Sequence, residues 1–361
     1  MFTPIMDATK PTEAFRTALI GAGGFGTHTL AALCQLSGVR VVGVGDQDSA
    51  AASAAAAEAN CPAYTDPRRL LVETKPQALF AALPPGPAGD IARLASQRGI
   101  HVWRETPLGR TLEEGVELWR MMEQAHLCLA IGTQRRFMGG YRAAKRWIDK
   151  IGKISLADCH YYFNIGPIGS WRGDRAAGGG SLLTLGYHVF DLAVWLMGLP
   201  ETVYCQAQTA GRHASPEPVY DTDDSACCLL GYPGKATVMI SVSRRHHPAS
   251  EGIALYGENG SILAEPGRCL LRDRDGAVID QFQEECLPLT VFGRQVQSFI
   301  QAVQAGGGMY ECSGLENLLT LSTIDAAYLS DRTGQPESPA DLLRSFDIQP
   351  ADCLTLAPKI D

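Results

Sequence analysis

The length and composition of the chain indicate a globular protein of about two domains. Its 361 residues exceed the ~150 typical of one domain, and a chain of this size buries a large core without disulfides or metals. The 31 basic and 39 acidic residues give a formal net charge of −8, which provides no general attraction to nucleic acids or anionic membranes. The 38 glycines, about a tenth of the chain against a usual ~7%, favour many tight turns. Collagen-like, disordered and nucleic-acid-binding classes are therefore excluded.

The cysteines favour a reducing compartment. There are 11, an odd number, and they are scattered from Cys34 to Cys353 without a C-x-x-C motif or the paired spacing of a zinc site. The N-terminal residues lack the basic segment and apolar segment of a secretory signal. We therefore expect free thiols, no bound metal and a cytoplasmic location.

One stretch, residues 182–199, has the hydrophobicity of a membrane span. It contains His188 and Asp191 and lies in the middle of the chain without flanking basic residues. Membrane spans rarely carry such polar groups and are usually flanked by lysine or arginine. We therefore predict a buried helix here and no association with a membrane.

Strand-like and helix-like segments alternate through the first third of the chain. Short β-branched or apolar runs separated by helical segments are typical of parallel βαβ units. The proline-rich run at 84–87 is expected to break the chain before the next helix. In chain order, we predict strands at 17–20, 39–44, 78–83, 100–104 and 127–131, and helices at 27–36, 50–59, 66–71, 91–97 and 112–125.

The pattern changes after about Gln134. Strand-like runs then follow one another, and turns near 232–234 and 258–260 favour antiparallel pairing. We therefore predict an α/β domain at 1–134 and an α+β domain at 135–361. In the second domain, we predict helices at 141–150, 182–197, 292–304 and 315–331, and strands at 154–163, 202–209, 225–232, 235–242, 252–256, 261–264 and 269–272.

A glycine-rich loop follows the first predicted strand and opens the first helix. Gly21, Gly23 and Gly26 have the spacing G-x-G-x-x-G. The first glycine permits a tight turn, the second admits a pyrophosphate, and the third lets the helix pack closely on the strand. The N–H groups at the helix N-terminus then face the phosphates. This context predicts a dinucleotide site that also includes Gly24 and Phe25.

Asp46 indicates which dinucleotide is bound. It ends the second predicted strand, 20 residues after Gly26. A carboxylate there accepts hydrogen bonds from the adenosine ribose and repels a 2′-phosphate. The next residues, Gln47 and Asp48, supply no arginine for that phosphate. We therefore predict NAD as the cofactor, with NADP the less favoured alternative.

Motifs spread over nearly the whole chain occur in the order and spacing of one enzyme family. They are residues 21–26, 83–85, 104–107, 134–137, 171–172, 178–191, 221–225 and 255–261. Together they resemble the Gfo/Idh/MocA oxidoreductases, the family of glucose–fructose oxidoreductase and inositol dehydrogenase. The resemblance implies an N-terminal Rossmann domain, which is a doubly wound parallel sheet, and a C-terminal domain with a large, open, mostly antiparallel sheet. It also implies a homo-oligomer, a dimer or tetramer, formed through the C-terminal sheet.

The same resemblance implies an activity and further cofactor contacts. Family members oxidise or reduce sugars, cyclitols or related polyols with NAD(P), so a small sugar-like molecule is the implied substrate. By position in the family motifs, Leu83, Pro84, Glu105 and Gln134 are implied to contact the cofactor.

Two positions depart from the family pattern. The family motif Glu-Lys-Pro, whose lysine helps to move the hydroxyl proton, is here Glu105-Thr106-Pro107. The family's aspartate four residues before its catalytic histidine is here Thr184. A threonine donates or accepts a hydrogen bond but stores no proton near neutral pH. Thr106 and Thr184 are therefore candidate catalytic residues of an altered kind.

His188 is the remaining candidate for proton transfer. Thr184, His188 and Asp191 lie at i, i+4 and i+7, so a helix places them on one face. An imidazole titrates near pH ~6.5, which suits exchange with a substrate hydroxyl. Asp191 is expected either to orient the imidazole and face the substrate or to cap a neighbouring loop. The alternative for His188 is a hydrogen-bonded core histidine.

Other polar residues near the glycine-rich segment at 178–180 are candidates for binding substrate. Arg172 and Arg175 suit a carboxylate or phosphate, or are surface arginines. Trp171 would stack on a sugar or on the nicotinamide, or pack in the core. Tyr162 ends the strand that leads to this segment and is a candidate substrate contact. The basic cluster at 244–247 is expected to be a solvated strand end.

Three functional hypotheses follow. The leading one is an NAD(P)-dependent oxidoreductase that moves a hydride between nicotinamide and a carbinol carbon, with His188 as proton donor or acceptor. The second is an enzyme that retains NAD and uses transient oxidation to cleave glycosides or catalyse a lyase reaction. The third is a non-catalytic sensor of dinucleotide or sugar, because two acid–base groups are missing.

Overall fold

The computed structural model describes residues 14–165, 170–209, 220–232, 234, 236–308 and 310–354. The predicted first domain begins at residue 1, so its first 13 residues, and with them the expected lack of a secretory signal, lie outside the described residues. The described strands form one six-stranded and one eight-stranded sheet. The predicted boundary between residues 134 and 135 falls just after the last strand of the first sheet.

The first sheet is doubly wound. It contains β1 (Phe15–Ile20), β2 (Val39–Gly45), β3 (Ala63–Tyr64), β4 (Ala78–Ala81), β5 (His101–Arg104) and β6 (Leu129–Ile131). Its order is β3-β2-β1-β4-β5-β6, and the described pairings are parallel. The strand order therefore reverses between β1 and β4, which is where such sheets bind ligands. The connecting helices are α1 (Gly24–Gln35), α2 (Ser49–Glu58), α3 (Pro67–Thr74), α4 (Pro85–Ser96) and α5 (Leu112–Gln124).

The sequence analysis predicts that the proline-rich run at 84–87 breaks the chain before the next helix, and this prediction is wrong. Helix α4 begins at Pro85 rather than near Ile91. Proline is well suited to a first helical turn because its fixed φ is helical and its missing N–H has no partner there. The early start brings Pro84 and Pro87 to the edge of the sheet at which the cavity described below opens.

The second sheet is large and mostly antiparallel. It contains β7 (Ile154–Tyr162), β8 (Thr202–Gln208), β9 (Ser225–Gly231), β10 (Thr237–Ser243), β11 (Ser250–Gly257), β12 (Gly260–Glu265), β13 (Arg268–Asp273) and β14 (Val278–Gln283). The order is β14-β13-β12-β11-β7-β10-β9-β8, and among these described strands only the pair β7–β10 is parallel. Strand β14 was not predicted, because its side chains are mostly exposed and show no apolar alternation.

The second half also contains helices that the sequence indicated only in part. They are α6 (Gly139–Trp147), α7 (Tyr187–Met197), α8 (Pro288–Gln304), α9 (Gly314–Thr333), α10 (Pro339–Arg344) and α11 (Pro350–Leu354). A 3₁₀ turn, Gln134–Phe137, precedes α6, and a π turn, Leu182–Gly186, precedes α7. The predicted helix 182–197 is therefore two kinds of helix in succession. Helices α10 and α11 were not predicted.

Helix α8 belongs to the core of the first sheet, although it lies late in the chain. Its Phe299 meets the β4 residue Phe80 edge to face, with ring centroids 5.6 Å apart. Its Phe292 stacks on Phe25 at the start of α1, with centroids 6.2 Å apart. Residues from after the second sheet thus complete the hydrophobic core beneath the glycine-rich loop.

The hydrophobic stretch at 182–199 is mostly buried, as predicted. In α7 every residue from Tyr187 to Leu196 is buried, including His188 and Asp191. The chain as described, 14–354 with its gaps, has no helix that is both long and apolar enough to cross a membrane.

Candidate active site

A single cavity of about 850 Å³ joins the two halves of the fold. It opens at the carboxyl ends of β1, β2, β4 and β5, at the point where the strand order reverses. Its other wall comes from β7, the π turn, α7 and the start of α8. The cavity therefore unites the loop predicted to bind a dinucleotide with the residues predicted to act on substrate.

The glycine-rich loop has the geometry that a pyrophosphate requires. Gly21 has a φ of +96°, and a Cβ there would lie 2.2 Å from the carbonyl oxygen of Ala82. A Cβ on Gly26 would lie 1.9 Å from the carbonyl oxygen of Gly21, so only glycine permits this contact between α1 and β1. Gly23, by contrast, faces open space and caps α1 without a side chain. Backbone N–H groups of α1 are thus open to an anion.

Asp46 lies beside this loop. Its carboxylate accepts hydrogen bonds from the backbone N–H groups of Ala22, at 2.7 Å, and Asp48, at 2.9 Å. Asp46 and Gln47 both line the cavity, together with Thr65 and Pro67. The described residues that line this end of the cavity include no lysine or arginine for a 2′-phosphate. The loop and Asp46 therefore fit NAD.

The four residues implied by family motifs as cofactor contacts also line the cavity. Leu83 and Pro84 lie just past the end of β4, and Glu105 just past the end of β5. Gln134 begins the 3₁₀ turn. Glu105 and Gln134 are buried, and among the described residues the Oε1 atom of each has no hydrogen-bond partner. Buried polar atoms without partners indicate a site that a polar ligand completes.

The three candidate catalytic residues belong to the wall of the same cavity. Thr106, Thr184 and His188 all line it. The Thr184 hydroxyl donates to the carbonyl oxygen of Gly180 at 2.6 Å, so it is left with lone pairs to accept a hydrogen bond. Nδ1 of His188 is buried without a partner among the described residues. This environment differs from that of a hydrogen-bonded core histidine.

Sequence reasoning missed Arg135, which determines the charge around His188. Its guanidinium forms a 2.8 Å ion pair with Glu251 and lies 4.7 Å from the ring centre of Tyr161. Burial lowers the pKa of His188 well below its ordinary value, and the positive charge of Arg135 lowers it further. His188 is therefore a neutral imidazole. The 134–137 motif was the available signal, but it does not say which arginine faces the cavity.

The structure places Asp191 away from the cavity, so the expectation that it orients His188 or faces the substrate is not met. Asp191 lies three residues after His188 in the helix, so its side chain points about 60° away from that of His188 and faces another neighbour. Both carboxylate oxygens of Asp191 bind the Arg136 guanidinium, at 2.7 and 2.8 Å. The Thr320 hydroxyl donates to the same carboxylate at 3.2 Å. Asp191 therefore ties α7 to the 3₁₀ turn and α9.

Tyr162 also lies outside the cavity lining. Successive side chains of a strand point to opposite faces, and it is Tyr161 that lines the cavity. The Tyr162 hydroxyl instead bonds the Ser241 hydroxyl at 2.6 Å across β7 and β10. Tyr161, with its ring centroid 6.4 Å from that of His188, takes the position expected for Tyr162.

Trp171 and Arg172 line the cavity, whereas Arg175 does not. The Arg172 guanidinium lies 4.7 Å from the Trp171 ring centre. Arg175 stacks on Tyr328 instead. The expectation of a solvated strand end at 244–247 is wrong for Arg244, which is buried and donates to the carbonyl oxygen of Arg172 at 2.8 Å. This hydrogen bond holds the segment that carries Trp171 and Arg172.

The described part of the chain contains no group of three or more His, Cys, Asp or Glu residues arranged to hold a metal ion. The 11 cysteines are free thiols. Burial raises the pKa of the Cys286 thiol at the cavity wall, so this group stays protonated near neutral pH.

Comparison with known proteins identifies the family. The family model described as "Oxidoreductase family, NAD-binding Rossmann fold" matches residues 15–133, and the "GFO/IDH/MocA C-terminal domain" model matches residues 141–263. The chain is 26% identical over 328 residues to a D-xylose 1-dehydrogenase (NADP(+)) of Haloferax volcanii, which covers 88% of this chain and 97% of that protein. It is 31% identical over 213 residues to an uncharacterized oxidoreductase of Schizosaccharomyces pombe, which covers 56% of this chain and 57% of that protein.

A solved structure shows the same fold. Levoglucosan dehydrogenase in complex with NADH and levoglucosan superposes with a TM-score of 0.81 at 19% identity, covering 90% of this chain and 99% of that one. The sequence motifs, the two sheets and the dinucleotide loop thus all indicate the same family. The chain belongs to the GFO/IDH/MocA oxidoreductase family, and its N-terminal domain is an NAD-binding Rossmann domain.

Proposed function

We propose that the protein is an NAD-dependent dehydrogenase that moves a hydride between nicotinamide and a carbinol carbon of a sugar, cyclitol or related polyol. The observation that carries this proposal is that the glycine-rich loop and His188 line one cavity. A dehydrogenase needs a hydride acceptor and a proton acceptor on the same carbinol group, and this cavity offers sites for both.

Different residues of the cavity serve the dinucleotide and the substrate. Gly21, Gly23 and Gly26 shape the loop for the pyrophosphate, and Asp46 faces the adenosine ribose. When bound, the dinucleotide supplies the hydride acceptor. The neutral imidazole of His188 accepts the substrate hydroxyl proton in oxidation and returns it in reduction. Thr106 and Thr184 supply hydrogen bonds that orient that hydroxyl, because neither side chain stores a proton.

The lining of the other end supports a sugar-like substrate. Trp171 provides a flat apolar face, and Tyr161 and Arg172 provide polar groups. Apolar walls with a few converging polar groups are typical of small-molecule sites. The D-xylose and levoglucosan dehydrogenases similar to this chain, by their names, act on sugars. We place the substrate between Trp171 and His188, with Arg172 as a further contact.

An enzyme that retains its NAD is a second candidate. It is favoured by Thr106 and Thr184, which replace two proton-carrying groups of the family. Such an enzyme would oxidise its substrate transiently in cleaving a glycoside or in a lyase reaction, and would release no reduced cofactor. A sensor without catalysis would bind both ligands and convert neither.

One set of assays separates these candidates. The purified protein is analysed by mass spectrometry for bound dinucleotide and is then mixed with NAD and a panel of sugars, cyclitols and sugar acids. We expect NADH to form with at least one compound, and His188→Asn to slow it by about 10²–10⁴-fold. The matched control is His126→Asn, in an exposed loop outside the cavity lining, where the residue has a φ of 55° that asparagine tolerates. Bound NAD without turnover on any compound would contradict the dehydrogenase proposal.

We also propose that the protein is a cytoplasmic homo-oligomer formed through the second sheet. Tyr256, Leu156, Met239 and Leu229 lie on the adjacent strands β11, β7, β10 and β9 and are each more than 40% exposed. The strand registers pair Tyr256 with Leu156 and Met239 with Leu229, and exposed apolar side chains grouped in this way are typical of a protein interface. Met239→Glu should give a smaller species in light scattering, whereas Val278→Glu, at an equally exposed position on the edge strand β14, should not. A mass unaffected by Met239→Glu would contradict this interface.

A further inference from the structure

Glu105, one of the implied cofactor contacts, is a buried carboxyl group in the cavity wall to which the mechanism above gives no part in proton transfer. It directly precedes Thr106 and is only 8% exposed. Its Oε1 atom has no hydrogen-bond partner among the described residues. Oε2 lies 2.9 Å from the point where a Cβ on Gly132 would be, so glycine at 132 leaves room for the carboxyl group.

The surroundings favour the protonated form of this carboxyl group. Removing a carboxylate from water while one of its oxygens lacks a hydrogen-bond partner is unfavourable, so the group tends to keep its proton. Burial raises the pKa of Glu105 to about 8. The positive charge of Arg135 and a hydrogen bond from the backbone N–H of Thr106 oppose that rise without cancelling it. The Arg104 guanidinium donates to two backbone carbonyl oxygens, that of Pro85 at 3.0 Å and that of Glu105 at 3.4 Å.

Three other ionisable groups at the substrate end of the cavity, Arg135, Arg172 and His188, are poorly suited to hold a proton that comes and goes near neutral pH. Arg135 and Arg172 are guanidinium groups that keep their protons. The pKa of His188 lies well below its ordinary value, so the imidazole releases a proton soon after accepting one. The complete set of ionisable residues that line the cavity, among those described, is His28, Asp46, Glu105, Arg135, Tyr161, Arg172, His188 and Cys286.

Arg135 acts on both groups in the same direction with different results. Its positive charge lowers the pKa of His188 and of Glu105. Burial lowers the pKa of the histidine further but raises that of the carboxyl group, because burial disfavours whichever form is charged. Of the two groups, Glu105 is therefore the one that holds a proton more readily.

We propose that Glu105 is the proton-carrying group of the reaction and takes over the task of the lysine that Thr106 replaces. This inference rests on the proposed dehydrogenase function. In oxidation, the substrate C–H bond breaks and its hydrogen leaves with both electrons to NAD⁺, which is reduced to NADH. The C–O bond becomes C=O, and the hydroxyl proton is accepted by His188 and comes to rest on the Glu105 carboxylate. In reduction, protonated Glu105 returns the proton.

Infrared titration of the purified, substrate-free protein tests whether Glu105 holds a proton. The protonated-carboxyl band of the wild type should contain a component that disappears with a midpoint near pH 8 and is missing in Glu105→Gln. Asp325 is an internal reference in both proteins, since burial raises its pKa to about 6. If Glu105→Gln removes only a component that titrates at the ordinary pH of a carboxyl group, the inference is wrong.

Kinetics then test whether that proton takes part in the reaction. With a substrate of the wild type, the rate of oxidation in a single turnover should rise about tenfold per pH unit and level off above the pKa of Glu105 in that complex, where the carboxylate is the base. Glu105→Gln should lower this rate by about 10²–10⁴-fold and remove the rise, and Glu105→Asp should restore part of both. An active Glu105→Gln enzyme with the wild-type pH profile would overturn the inference.

The two proposals fail in distinguishable ways. A protein whose Glu105 titrates near pH 8 but which oxidises no compound of the panel would contradict the dehydrogenase function, and this inference with it. An active dehydrogenase whose Glu105 titrates as an ordinary carboxyl group would contradict this inference alone. Thermal unfolding of Glu105→Gln and Glu105→Asp confirms that both variants are folded before either result is used.

Discussion

Arg136 donates two hydrogen bonds to the Asp191 carboxylate in the fully buried core, from Nε at 2.8 Å and from Nη2 at 2.7 Å. Nη1 of the same guanidinium lies 2.5 Å from the Glu316 carboxylate. One arginine thus joins the 3₁₀ turn after the first sheet to α7 and α9. The adjacent residue of that turn, Arg135, lines the cavity, so the pair also holds the charge that acts on His188.

Loss of Asp191 should therefore reduce stability rather than remove a substrate contact. Asp191→Ala leaves a buried guanidinium short of one counter-charge, which typically costs ~3–5 kcal/mol. Urea unfolding measures the change. The control is Glu73→Ala, which breaks the exposed ion pair between Arg69 and Glu73 and should cost ~0–1 kcal/mol. A folded Asp191→Ala protein of wild-type stability would contradict this role.

The close packing at the dinucleotide loop gives a second prediction. Gly26→Ala would place a Cβ 1.9 Å from the carbonyl oxygen of Gly21, so α1 must move away from β1. We expect NAD affinity to fall at least about tenfold, which corresponds to ~1.4 kcal/mol. Titration calorimetry measures it. Gly293→Ala in α8 meets nothing within 4 Å and should leave affinity unchanged. Equal effects of the two substitutions would count against the loop as the binding site.

Asp46 should determine the choice between NAD and NADP. Asp46→Asn keeps a hydrogen-bond acceptor beside the ribose but removes the negative charge that repels a 2′-phosphate. We expect the ratio of NADP to NAD affinity to rise about tenfold or more, measured by binding titration with each dinucleotide. Asp48→Asn is the matched control, because Asp48 is exposed and caps α2. If both substitutions change the ratio equally, Asp46 does not discriminate.

Protonated Glu105 also predicts how stability depends on pH. Its folded-state pKa of about 8 lies above its ordinary value of 4.5. Between these values the unfolded chain has released the proton while the folded protein still holds it, so the contribution of Glu105 to stability falls as pH rises. Each pH unit corresponds to roughly 1.4 kcal/mol. Glu105→Gln has no proton to lose, so its free energy of unfolding should rise relative to the wild type over this range.

Denaturant unfolding of the two proteins at several pH values measures this difference. All other ionisable groups are common to both, so their contributions cancel. Asp325→Asn is a comparison with a smaller shift, since its pKa is raised only to about 6. A difference between wild type and Glu105→Gln that stays constant from pH ~5 to pH ~8 would show that Glu105 ionises normally in the folded protein.

The dinucleotide half of the site could be predicted from the sequence because its signals are local. Gly21, Gly23 and Gly26 lie in one loop, and Asp46 ends the next strand. Each of these positions follows from the turn, the helix start and the strand alternation around it. The two sheets and their pairing modes could be predicted from the order of strand-like and helix-like segments, together with the family resemblance.

The substrate half depends on relations between distant segments, and there the predictions failed in part. Whether Tyr161 or Tyr162 faces the cavity depends on which side of β7 the helices cover. The role of Asp191 depends on Arg136 in another element. Arg244 is buried by partners such as Asp224, which directly precedes the neighbouring strand β9. Charged residues become core residues only when tertiary pairing supplies their counter-charges, and this pairing leaves little trace in a single sequence.

The most direct test of the account follows one hydrogen atom. A sugar or polyol that the wild-type protein oxidises is deuterated at its carbinol carbon. It is then oxidised by the wild-type protein with NAD, and the mass of the reduced dinucleotide is measured. Hydride transfer in this cavity predicts that the dinucleotide gains one deuterium and that His188→Asn and Glu105→Gln slow the gain. Oxidised product with no deuterium on the dinucleotide, or no reaction although NAD is bound, would contradict it.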